Sequence, residues 1–235
     1  MRNMIEPKNA KDIHDFARDV ENLSNENMNE LTKAIVETKN AWHIYLFARY
    51  VKNLSNENLD ILTKAIIETK DTEDIYLFAR YVSNLSDENI DLLTKAIVET
   101  KNAEYIYGFA RDAENLSDKN MDTLTKAIVE TKNAWHIYLF ARYVSNLSNE
   151  NIDALTKAIV ETKNLEYIAI ILWNTKNINL INRIFGSLDK YKIFCKAENI
   201  SLKTEELEND NHDLYIDDNV DNYLEERKES KKVLG

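Results

Sequence analysis

Arginine and tyrosine side chains that could form a binding surface recur through the chain at a fixed spacing of 31 residues. Four of the five arginines have a tyrosine four positions earlier, on the same side of a helix. Guanidinium groups and aromatic rings are common anchors for protein or nucleic-acid partners, so this pattern indicates binding chemistry. The two series are Arg18, Arg49, Arg80, Arg111 and Arg142, and Tyr45, Tyr76, Tyr107 and Tyr138.

The same arginines also have a structural interpretation. Every repeat carries a glutamate in the motif ETK, which could pair with the arginine across a helical hairpin. Because each repeat has both residues, the sequence favours this ladder of ion pairs over a partner contact. The glutamates are Glu37, Glu68, Glu99, Glu130 and Glu161.

Two positions of the repeat vary between copies. One holds tryptophan or a charged residue, and the other holds tyrosine or aspartate. A partly exposed strip of these aromatic residues, edged with carboxylates, suits a protein partner, and packing between repeats is an equal alternative. The aromatic residues are Trp42, Trp135, Tyr50, Tyr81 and Tyr143, and the charged ones are Lys11, Glu73, Glu104, Asp19 and Asp112.

Signals for bond-making chemistry are poor. The three glycines cannot form a phosphate-binding loop, and no G-x-S-x-G motif occurs. The four histidines, of which two duplicate one position, fit helix flanks better than a metal site. They are His14, His43, His136 and His212. We therefore predict no catalytic residue, no metal ion and no cofactor.

The elements that must position these residues are helices. Glycine and proline, which punctuate turns and strands, number only 3 and 1. The motifs FAR, LTKAI and ETK each recur five times at the same interval, which is typical of a solenoid of stacked units. Within one unit, an apolar stripe that includes Phe47 predicts a first helix over roughly 41–52, and one that includes Leu62 predicts a second over roughly 56–69. These two stripes form the expected core.

Side chains are expected to cap these helices. Ser55 precedes the second helix, and Asn40 or Asp71 precedes a first helix. The segment Asn53-Leu54-Ser55 is also a glycosylation sequon, but without a signal peptide we favour the capping interpretation.

The predicted fold is all-α: a right-handed α-solenoid of about five 31-residue hairpins with a divergent C-terminal helical cap. The array spans 1–163, the divergent last repeat and capping helices span 164–204, and an acidic tail spans 205–235. The repeats lie near 9–39, 40–70, 71–101, 102–132 and 133–163.

The repeat text IYLFARYV and LTKAIIETKD resembles a repeat of bacterial and phage proteins over about residues 9–168. In period and helix count it is also similar to the HEAT, armadillo and tetratricopeptide families, although it lacks their signature residues. The resemblance implies a helical-hairpin array and no particular activity.

Charge and composition complete the prediction. The formal net charge of −11 disfavours direct binding to nucleic acid or anionic lipid, and the single cysteine, Cys195, fits a reducing cytoplasm. The tail adds acidic candidates for a basic partner: Glu205, Glu206, Glu208, Asp210, Asp213, Asp217, Asp218 and Asp221.

We expect a non-catalytic, cytoplasmic scaffold that binds another protein. The alternative is an acidic phage-type inhibitor that blocks the nucleic-acid-binding groove of a host nuclease. A HEAT-like enzyme acting on nucleic acid is the least favoured of the three.

Overall fold

The computed structural model describes residues 9–20, 23–164, 167–168 and 191–192. The chain divides into two compact units, Met1–Leu180 and Ile181–Gly235, and all the helices named here lie in the first. The described residues contain ten α-helices and no strand. The helices are α1 Ala10–Asp19, α2 Asn25–Glu37, α3 Ala41–Tyr50, α4 Asn56–Thr69, α5 Thr72–Tyr81, α6 Asp87–Glu99, α7 Ala103–Asp112, α8 Asp118–Glu130, α9 Ala134–Tyr143 and α10 Asn149–Glu161.

These helices form five successive hairpins, from α1–α2 to α9–α10. Each helix packs against the next helix and the next but one, and no more distant pair among them is in contact. The odd-numbered helices therefore form one layer of the array and the even-numbered helices form the other. This packing confirms the predicted all-α repeat fold, while the hand of the solenoid stays a prediction. The predicted C-terminal cap and acidic tail fall almost entirely outside the described residues.

Side-chain capping holds the start of each helix, as predicted. Ser55 accepts a hydrogen bond from the backbone N–H of Asn58 at 3.2 Å, and equivalent serines cap the other even-numbered helices. Asn40 accepts from the N–H of His43 at 3.1 Å, and an Asn or Asp does the same for each other odd-numbered helix. These bonds satisfy backbone donors that a helix leaves unpaired at its first turn.

A threonine and a lysine end each even-numbered helix. The Thr100 hydroxyl donates to the Ile97 carbonyl at 2.6 Å and accepts the Asn102 N–H at 3.2 Å, so it connects one helix end to the next cap. The following Lys101 has φ of 54°, in the left-handed region that glycine usually occupies. The same arrangement recurs at all five positions, with lysine φ values between 51° and 59°.

Lys101→Gly is therefore expected to stabilise the array by about 0.5–1 kcal/mol, because glycine has no Cβ to strain in the left-handed conformation. A urea titration followed by far-UV circular dichroism measures the change. Lys95→Gly, in the exposed middle of α6, is the matched control and is expected to destabilise by about 1 kcal/mol. Equal signs for the two variants would contradict the prediction.

The core lies between the two layers and follows the predicted apolar stripes. Ile44, Phe47, Leu62 and Ile66 of the second hairpin are fully buried. Phe16 of the first hairpin is only half-buried, because no earlier hairpin among the described residues covers α1. None of the helices in the described part of the chain is long and apolar enough to cross a lipid bilayer.

Buried asparagines join consecutive even-numbered helices. Asn89 donates from Nδ2 to Asp60 at 2.9 Å, and Asn151 donates to Asp122 at 3.0 Å. A hydrogen bond from Asn120 likewise holds the pKa of Asp91 below its ordinary value. These side-chain pairs lie about one repeat apart and add a polar contact between successive units to the apolar packing.

Candidate functional site

The candidate site is the side of the odd-numbered helices that faces away from the even-numbered layer. We call it the arginine face. In α3 it carries Trp42, Arg49 and Tyr50, which are partly exposed, together with Tyr45 and Leu46, which are buried. The same five positions of the other odd-numbered helices extend the face along the array.

The predicted tyrosine and arginine series meet on this face. Each tyrosine is buried, with 1–4% of its surface exposed, and accepts a hydrogen bond from Nη1 of the arginine four residues later. These four arginines are half-buried, whereas Arg18 of the first hairpin is exposed. Burial raises the pKa of Tyr45 to about 12, so this hydroxyl keeps its proton and remains neutral near neutral pH. The structure thus places the tyrosines beneath the arginines as supports, and not at the surface.

The predicted ladder of arginine–glutamate ion pairs is wrong. Arg49 bonds to Tyr45, and Arg111 pairs with Asp112, its own neighbour in sequence. The repeated glutamates form no ion pair with the arginines anywhere in the described ranges. The reason is that Glu68 and its equivalents lie on the exposed side of the even-numbered layer, whereas the arginines lie on the opposite side of the array.

A cluster centred on Asp112 joins the third and fourth hairpins. Its carboxylate accepts from Nε and Nη2 of Arg111 at 2.6 and 2.9 Å and from the Tyr76 hydroxyl at 2.5 Å. Nη1 of Arg80 lies 3.5 Å from the same carboxylate and donates to the Tyr76 hydroxyl at 3.0 Å. The cluster therefore connects α5 to α7 through charge-assisted hydrogen bonds.

Burial and short hydrogen bonds set the pKa of each residue in this cluster. Burial alone would raise the pKa of Asp112, but hydrogen bonds from Arg111 and Tyr76 outweigh it and hold that pKa below its ordinary value. The hydrogen bond to Asp112 raises the pKa of Arg111. Burial, followed by the nearby carboxylate, raises the pKa of Tyr76. The ion pairs are therefore fully charged at neutral pH.

Gly108 makes room for this cluster. The other hairpins with an IYLFAR motif hold leucine at this position. A Cβ on Gly108 would lie 3.2 Å from Cε2 of Tyr76, which is tighter than ordinary van der Waals contact, and 3.4 Å from Cζ of the same ring. The missing side chain lets the Tyr76 ring lie over α7 and reach Asp112.

The variable aromatic residues are partly exposed on the arginine face. Tyr50, Trp135 and Tyr143 are 37%, 39% and 41% exposed. Trp135 also packs on Tyr138 at 5.6 Å and on Tyr167 at 5.7 Å between ring centroids. Packing between repeats is therefore shown for Trp135, and contact of the strip with a protein partner stays a prediction.

Trp42 and Tyr81 are less exposed than these residues. Trp42 is half-buried and packs on Tyr45, with 5.3 Å between ring centroids. Tyr81 is also half-buried, and its buried hydroxyl has no hydrogen-bond partner among the residues that the structure describes.

The described residues do not assemble a metal site. No group of three or more His, Cys, Asp or Glu side chains within them is placed to hold an ion. Burial lowers the pKa of His14 and of His136. A cavity of about 110 Å³ between the third and fourth hairpins is well below the usual roughly 300–1,000 Å³ of a small-molecule site.

Charge is distributed unequally between the two layers. The even-numbered helices carry 16 Asp and Glu against 6 Lys, a net charge of −10. The odd-numbered helices carry 7 Asp and Glu against 6 Lys and Arg, a net charge of −1. Only α3 and α9 have a net positive charge, because each contains one arginine and no acid.

Sequence reasoning missed the Asp112 cluster and the Asp60–Asn89 contact. One signal was available for the first: Gly108 replaces leucine in the repeat that also has Asp112. No comparable signal marks Asn89, which reads as an ordinary residue in the first turn of a helix.

Comparison of the chain with protein-family models, with curated proteins and with solved structures finds no match. The fold and the site nevertheless define a class: a two-layer array of helical hairpins with an arginine-rich aromatic face on one layer and an acidic face on the other. The resemblance of the repeat to those of bacterial and phage proteins stays a prediction.

Proposed function

We propose that this chain is a non-catalytic helical-repeat protein that binds another protein through the arginine face. The observation that supports this proposal is the position of the exposed large hydrophobic side chains. Among the described residues four large hydrophobic side chains are clearly exposed, and three of them, Tyr50, Trp135 and Tyr143, belong to this face. Soluble proteins concentrate such side chains where a partner covers them.

The face is also preorganised for binding. Its arginines are held by hydrogen bonds to buried tyrosines, and Arg142 lies 4.9 Å from the centroid of the Tyr143 ring. Ordering these side chains before binding reduces the entropy that is lost on association. Tyr, Trp and Arg are the residue types that contribute most to protein interfaces.

A second candidate function rests on the acidic even-numbered layer. With a net charge of −10, this layer complements a basic surface, such as the nucleic-acid-binding groove of a nuclease. In that case the chain acts as an inhibitor that occupies the groove in place of nucleic acid. Such binding weakens steeply as the salt concentration rises.

Paired variants of the two layers decide between these functions. Immobilised full-length chain captures partners from an extract of the source cell, and mass spectrometry quantifies them. For the arginine face we expect Trp135→Ala with Tyr143→Ala to remove the main partner, while Glu99→Lys with Glu130→Lys, on the acidic layer, leaves capture unchanged. The reverse pattern, with loss in high salt, would establish the acidic inhibitor instead. Unchanged capture by both variants would contradict both functions, provided that circular dichroism shows intact helices.

A further inference from the structure

Arg49 differs from the other arginines of the first four hairpins in having no internal counter-ion. Arg18 lies within 3.3 Å of Asp15 and 2.8 Å of Asp19, and Arg111 lies 2.6 Å from Asp112. Arg80 lies 3.5 Å from Asp112. The guanidinium of Arg49 has no carboxylate within 4 Å among the described residues.

Aromatic rings take the place of that counter-ion. The Cζ atom of Arg49 lies 4.2 Å from the ring centroid of Tyr81, 5.0 Å from that of Tyr50 and 5.9 Å from that of Tyr45. Nη1 also donates a hydrogen bond to the Tyr45 hydroxyl. Cation–π contacts and this hydrogen bond hold the guanidinium in one orientation while it keeps its full charge.

Part of the guanidinium remains available to a ligand. Five N–H groups are present on an arginine side chain, and the Tyr45 hydroxyl accepts from Nη1 alone. Nε and Nη2 make no hydrogen bond within the described residues, and Arg49 as a whole is only half-buried. They form the edge that binds a carboxylate with two parallel hydrogen bonds.

Two tyrosines at positions that hold aspartate in other repeats create this site. Asp19 and Asp112 follow the arginine in the first and fourth hairpins and pair with it, whereas Tyr50 follows Arg49. In the next repeat Tyr81 occupies the position from which Asp112 contacts Arg80, so Arg49 has neither carboxylate. Tyr50 also adds an exposed ring beside the charge. An unneutralised arginine is notable in a chain with a net charge of −11.

We propose that Arg49 is a recognition site for a carboxylate side chain of the protein partner, with an aromatic residue of that partner packing on Tyr50. This inference rests on the proposed function of the arginine face. The surrounding array carries 26 acidic against 18 basic residues over 9–163, which repels a polyanion such as nucleic acid. A single carboxylate next to an aromatic side chain can pair with Arg49 without the repulsion that a polyanion experiences.

The test is a titration of full-length protein with a capped tripeptide of glutamate, phenylalanine and glutamate, followed by NMR of the arginine Nε–H signals. We expect a saturable shift at Arg49 and none at Arg111, whose Nε already donates to Asp112. Arg49→Gln is expected to weaken binding at least tenfold, as is Tyr50→Asp, which restores the counter-ion found in the first and fourth hairpins. Lys64→Gln, which removes an exposed positive charge from α4 in the other layer, is the control and is expected to bind as the parent does.

Three results would overturn the proposal. One is an Arg49 Nε–H shift of equal size with a peptide that has glutamine in place of glutamate. Another is a shift of equal size with acetate at the same carboxylate concentration. The third is an unchanged affinity of the Tyr50→Asp variant for the tripeptide. Absence of any shift at Arg49 would overturn it as well. The proposed function itself fails only if Trp135→Ala with Tyr143→Ala keeps its partner, so the two failures are distinguishable.

Discussion

Phe78→Ala is expected to lower the free energy of unfolding by about 3–5 kcal/mol, the range for removing a fully buried phenylalanine. Phe78 has 0% of its surface exposed and lies in the central hairpin, between α5 and the even-numbered layer. Hairpins on both sides of it restrict how far the structure can relax into the cavity. A urea titration followed by far-UV circular dichroism measures the loss.

Phe16→Ala supplies the matched control, because it changes the same repeat position in the first hairpin. Phe16 is half-buried, so we expect its replacement to cost less than half as much. Equal losses at the two positions would show that burial within the array does not set the stability of a hairpin. A changed denaturant slope would show instead that hairpins unfold separately, as repeat arrays can.

Asp112→Ala is expected to destabilise the array by about 2–3 kcal/mol. Its side chain is 12% exposed and accepts hydrogen bonds from Arg111 and Tyr76, while Arg80 lies within ion-pair distance. Removing the carboxylate takes away the counter-ion of Arg111, one ion-pair contact of Arg80 and the acceptor of the buried Tyr76 hydroxyl. We expect a smaller loss of stability than for a fully buried ion pair, because Arg80 and Arg111 keep 20% and 24% of their side-chain surface in water.

The same contacts predict a pH dependence. The folded pKa of Asp112 is depressed relative to its unfolded value, near 4 for an ordinary aspartate. Its stabilisation is therefore fully present above that unfolded value and is lost as the pH falls through the lower, folded pKa. We expect Asp112→Asn to lose less stability than the parent as the pH falls from 6 to 3 (roughly the range that spans ordinary carboxyl titration).

Asp19→Ala changes the equivalent position of the first hairpin and serves as control. The Asp19 side chain is 62% exposed, so we expect the unfolding midpoint of the Asp19→Ala variant to equal that of the parent within experimental error. If Asp112→Ala behaves in the same way, the central cluster contributes nothing measurable to stability.

Individual residues show how far sequence reasoning reaches in this chain. Ser55 and Asn40 were predicted as caps, and Phe47 and Leu62 as core, because capping and amphipathic periodicity depend on neighbours within a few positions. The ion pair between Arg49 and Glu68 was wrongly predicted, because spacing along the chain does not say on which side of a two-layer array a residue lies. The left-handed conformation of Lys101 has no signal in its residue type, because glycine is what that conformation normally selects.

By itself the sequence determined the helices, their caps, their pairing into hairpins and the stacking of the repeats. Each of these follows from a local pattern that is copied every 31 residues. Tertiary structure alone decided that Arg80 has a counter-ion, on which side of the array the acidic helices lie and which aromatic rings reach water. Those properties depend on side chains from different hairpins, which meet only when the layers form. Tyr76 thus bonds to Asp112, 36 residues away, and Arg49 lies over Tyr81 of the next repeat.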